Sequence, residues 1–108
     1  MFFISEENNF ILTDSCQVLY FYASWMPYHK KMVSMLDKME KKYPSINFFA
    51  IDVDFFKSFT KRFCLDSIPT ILIFKNSKEV KRINGLILTS ALSAAFADIC
   101  KTNTTNVV

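Results

Sequence analysis

Three nearly continuous apolar runs constrain this chain more than anything else in it. Val18 to Tyr22, Ile46 to Val53 and Ile71 to Phe74 are each too apolar to leave one face in water. The middle run carries only Asn47 and Asp52 as polar residues and still reads as a central strand. Strands of this kind are buried on both faces, and a sheet buries both faces only when helices cover each side. Between the first two runs the period changes. Met32, Leu36, Met39 and Tyr43 recur at i, i+4, i+7 and i+11, an apolar helical stripe directed at a core. Lys30, Lys31, Asp37, Lys38, Glu40, Lys41 and Lys42 fall mostly off that stripe and face water.

The remaining elements follow from local signals. Met1 to Ile4 reads as a short strand, and Ser5 with Glu6 and Glu7 as the start of a helix reaching about Thr13. Gln17 to Ala23 is a strand, Pro27 suits the first turn of the next helix, and Tyr43-Pro44-Ser45 ends it. Phe56, Phe59 and Phe63 mark a short helix. Thr70 to Lys75, the turn Asn76 to Glu79 and Val80 to Asn84 form a hairpin, closed by Gly85. Thr89 caps a last helix with Leu92, Phe96 and Ile99 on one face. The order β-α-β-α-β-α-β-β-α is an α/β fold, a central mixed sheet with parallel pairing, right-handed crossovers and an antiparallel edge. Residues 1–101 make one domain, and 102–108 a frayed polar tail.

Composition excludes several functions. No apolar run is long enough to span a membrane, and the first residues lack the basic and apolar regions of a secretory signal. The net charge of +3 comes from a lysine-rich helix, not a dense patch, which argues against nucleic acid. Three cysteines with no paired spacing, Cys16, Cys64 and Cys100, fit a reducing compartment. A cytoplasmic monomer without cofactor is expected.

Four segments resemble the thioredoxin family, and the resemblance runs from Met1 to about Lys101. Val18 to Trp25 is similar to the strand entering the redox loop. Met26-Pro27-Tyr28-His29 stands where thioredoxins and glutaredoxins have Cys-x-x-Cys, its Pro-Tyr pair matching glutaredoxins. Asp52-Val53-Asp54 resembles the end of the central strand. Ser67-Ile68-Pro69-Thr70 and the strand after it resemble the family's cis-proline loop. The resemblance implies the thioredoxin-like fold and a cis Pro69. It also exposes departures: Met26 and His29 replace both cysteines, Tyr20 stands where a buried acid would lie, and Ala50 where a lysine would. A thioether forms no thiolate and an imidazole no mixed disulfide.

The expected reading is a redox-inactive member that binds a protein or peptide through the former active-site face, as adaptor, scaffold or chaperone. Trp25, Met26, Pro27, Tyr28, His29, Ile68 and Pro69 are its candidate binding residues. No catalytic residue is assigned, and the reading leans away from an enzyme. An inherited surface with no ligand is the plain alternative. A second reading is an oxidoreductase working through the single thiol of Cys64, although a cysteine at a helix end more often serves packing. A third is a soft metal held by Met26 and His29, donors that suit Cu(I). Two ligands do not make a site, and a solvent-facing loop is the plainer account of them. Asp52 and Asp54, two apart at a strand end, would share one face. His29, in a first helical turn beside Lys30 and Lys31, is expected to be neutral at neutral pH.

Overall fold

The structure, a computed structural model, describes residues 1–7 and 10–100. Five strands form one sheet in the order β1-β3-β2-β4-β5: Phe2–Phe3 (β1), Gln17–Tyr22 (β2), Asn47–Asp52 (β3), Thr70–Lys75 (β4) and Lys78–Asn84 (β5). The first three run parallel, and β4 and β5 are antiparallel to their neighbours. Among the described residues three helices complete the fold: His29–Lys42 (α1), Ser58–Arg62 (α2) and Thr89–Cys100 (α3).

The alternation of side chains along β2 decides which helix covers which face. Tyr20 and Tyr22 meet His29 of α1, and Phe48 of β3 packs edge-on against Phe96 of α3, so α1 and α3 share one side. On the other side Phe21 and Phe74 contact Phe63, and Phe49 contacts Phe10. The apolar stripe of α1 is buried at Met32, Leu36 and Met39. Among the described residues no helix is long and apolar enough to cross a membrane.

Two expectations are corrected here. No α-helix occupies the described part of the stretch from Ser5 to Thr13; Asn8 and Asn9 lie outside the described residues. The buried Gln17 side chain takes up the backbone of that stretch instead, donating from Nε2 to the Ile11 carbonyl at 3.0 Å and accepting from the Thr13 N–H at 2.9 Å. Those partners replace the bonds a helix would have made. The hairpin turn is also tighter than expected. Asn76 and Ser77 both have positive φ, 54° and 64°, so a two-residue turn joins β4 to a β5 that begins at Lys78. The expected frayed tail, 102–108, lies outside the described residues.

Candidate functional site

The site is built where β2 ends and α1 begins. The Met26 N–H bonds to the Ala23 carbonyl at 3.0 Å and the His29 N–H to the Met26 carbonyl at 3.2 Å, two successive turns that reverse the chain into the helix. From the antiparallel neighbour, Phe21 lies opposite Thr70, which puts Ile68 and Pro69 beside the residues that leave β2. The Ile68–Pro69 peptide bond is cis. The Gly85 N–H then donates to the Pro69 carbonyl at 2.8 Å, and Gly85, at φ 83°, turns the chain so that Leu86 joins the group.

These three segments enclose a groove of about 270 Å³ lined by Trp25, Met26, Pro27, Tyr28, Ile68, Pro69 and Leu86. Trp25 is 70% exposed and Tyr28 51%. The Trp25 ring is held from behind, its Nε1 donating to Asp54 Oδ2 at 3.0 Å. Among the described residues that line it, none carries a charge, so the groove favours apolar side chains and backbone.

Six of the seven residues singled out by sequence line this groove, and His29 is the exception. Its ring stacks on Tyr22 at 4.2 Å between centroids and on Tyr20 at 5.9 Å, and its Nδ1 lies 2.9 Å from the Tyr20 hydroxyl. His29 therefore supports the loop from beneath. Burial holds its pKa below the ordinary value of 6.5, with the nearby Asp52 carboxylate pulling the other way. Burial, and not the neighbouring lysines, is the main cause. Tyr20 is fully buried, and burial first, then Tyr22, pushes its hydroxyl far above the usual tyrosine range.

Met26 is buried, not solvent-facing as a loop residue would be, because the turn folds it onto the core. His29 Nδ1 faces the Tyr20 hydroxyl, and among the described residues no cluster of three or more His, Cys, Asp or Glu is placed to hold a metal ion. The two carboxylates at the end of β3 do not share a strand face. β3 stops at Asp52, whose Oδ1 accepts from the Asp54 N–H at 2.9 Å, and Asp54 turns out to meet Trp25. Cys64 is exposed just past α2 at φ 53°, and its carbonyl accepts from Arg82 at 2.9 Å.

Sequence reasoning missed Leu86, because its neighbourhood read only as the closure of a hairpin. The single glycine was the available signal: a positive φ there redirects the following residue toward Pro69.

A thioredoxin family model matches residues 4–98. Thioredoxin-1 of Saccharomyces cerevisiae is 35% identical over 81 residues, covering 75% of this chain and 79% of that one. Glutaredoxin-3 of Mus musculus is 30% identical over 80 residues, which make up 74% of this chain and 24% of the mouse protein. The crystal structure of a thioredoxin from Nicotiana alata superposes with a TM-score of 0.80 at 26% identity, covering 90% of each chain.

Proposed function

The chain belongs to the thioredoxin family, and we propose that within it this protein has given up dithiol exchange and holds an extended polypeptide on the former active-site face. The observation that carries this reading is the apolar groove between Trp25, Tyr28, Ile68 and Leu86. Its recognition elements are partly exposed aromatic rings beside main chain, which need no sulfur. Met26 and His29 occupy the two positions where exchange would need thiols. The hydrogen bond from Tyr20 to His29 supports the same reading, because it fills the space beneath the loop with a fixed neutral pair. The role is that of an adaptor or chaperone in the cytoplasm.

The test has two arms. Insulin reduction with thioredoxin reductase should run at the rate of the protein-free control. Titration with reduced, carboxymethylated α-lactalbumin should show saturable binding that Trp25→Ala weakens. Insulin turnover that disappears in Cys64→Ser would instead establish single-thiol chemistry at the exposed Cys64.

A further inference from the structure

A second groove, of about 610 Å³, lies between α1 and the segment from Leu86 to Thr89. Met32 and Met35 form its helical side and Ile87 and Leu88 its opposite side. Tyr28 and Leu86 line both grooves, so the two are continuous. Leu88, an apolar residue just ahead of α3, is 76% exposed. Such exposure beside a methionine-lined depression marks a surface able to adapt to a partner.

Charge identifies the partner. Lys31 and Lys38 stand on the rim, and the described residues lining this groove include no acid. Among the described residues neither lysine takes part in an ion pair. The acids of α1 that could have balanced them, Asp37 and Glu40, are turned to the Met1 amino group. The rim is therefore positive and uncompensated, over an apolar floor.

We propose that this second groove takes the continuation of the polypeptide held beside Trp25 and selects acidic residues in it. The proposal rests on the function proposed above and adds the partner's chemistry. Seven positions along a helix span roughly 10 Å. An extended chain covers that distance in about three residues. The segment that fits both grooves therefore has large apolar residues for Trp25, Ile68 and Leu88, and two acidic residues about three positions apart for Lys31 and Lys38.

Selection of a phage-displayed random dodecapeptide library on the full chain tests this, followed by fluorescence anisotropy of the selected peptides at low and high salt. The expected peptides combine apolar and acidic residues. Lys31→Ala with Lys38→Ala should weaken them about tenfold or more and flatten the salt dependence, while arginine at both positions should keep the affinity. Peptides without acidic enrichment would overturn the proposal. So would peptides that depend on Trp25 but bind the double alanine variant as tightly as wild type; that result leaves the function proposed above standing. Failure to select any peptide would overturn both. A concentration-dependent dimer in sedimentation that Leu88→Asp abolishes would place a second copy in the groove and also overturn the proposal.

Discussion

The Tyr20 hydroxyl lies 2.9 Å from Nδ1 of His29 and so joins two positions where the family resemblance would place a buried acid and a second cysteine. Ala50 lies directly across from Tyr20 in the neighbouring strand, where the family resemblance would place a lysine. Tyr20, His29 and Ala50 fit together. A small residue in β3 leaves room beside a tyrosine ring, and the hydroxyl meets the imidazole under the loop. Tyr20 keeps its proton because burial disfavours the phenolate. On the proposed reading, a hydroxyl that stays protonated does not take the relay role that the resemblance gives a carboxylate.

The protonation state of His29 follows from this pair. A buried hydroxyl needs an acceptor, and Nδ1 supplies it, so the neutral ring should carry its proton on Nε2. Nitrogen-15 correlation spectra should show that tautomer, with a titration midpoint below 6.5. The sign for stability follows. With the folded value below the unfolded one, the unfolded chain takes up the proton first as pH falls through 6.5, so stability falls from there toward the folded midpoint and is unaffected above it. A midpoint above 6.5, or an Nδ1–H tautomer, would contradict the stacked and partly buried placement.

Met26→Cys with His29→Cys should close a disulfide yet reduce insulin poorly. The bond from the His29 N–H to the Met26 carbonyl makes a turn that brings the two α-carbons within reach of a bridge. Tyr20 and Ala50 still supply neither the acid nor the lysine that the family resemblance attaches to proton transfer. Mass spectrometry after mild oxidation reads the bridge, and insulin turnover reads the chemistry. Turnover matching that of a thioredoxin would show that Tyr20 and Ala50 are no obstacle.

Gln17→Leu should destabilise the fold by about 1–3 kcal/mol, measured by urea denaturation. The change removes one acceptor and one donor from the Ile11 to Thr13 backbone in a place that is only partly open to water.

Elements held by local pattern were legible in the sequence, and contacts made across the fold were not. The α1 stripe ends up buried at Met32, Leu36 and Met39, and Leu92 and Phe96 are fully buried in α3, because the helical period alone selects those positions. The family resemblance named Trp25 through Tyr28, Ile68 and Pro69, which do come together. The expected helix after Ser5 failed because nothing local reveals that a glutamine in the next strand will satisfy that backbone. The Tyr20–His29 bond joins residues nine apart through the reversal between β2 and α1, and no spacing rule announces such a pair. The second groove escaped notice because Leu86 to Thr89 carries no motif.

Ser77→Gly should stabilise the hairpin by about 0.5–1 kcal/mol, read as a higher urea midpoint at unchanged slope. Both turn residues have left-handed backbone, and Asn-Gly suits that turn better than Asn-Ser. The serine hydroxyl bonds to the Thr13 carbonyl at 3.1 Å in an exposed position, so its loss subtracts little.

Chemical-shift mapping of the protein with its thiols alkylated, titrated with reduced, carboxymethylated α-lactalbumin, tests most directly whether a polypeptide is held without thiol chemistry. The account predicts saturable shifts concentrated at Trp25, Tyr28, Ile68 and Leu86. Shifts confined to other surfaces, or binding that alkylation abolishes, would contradict it.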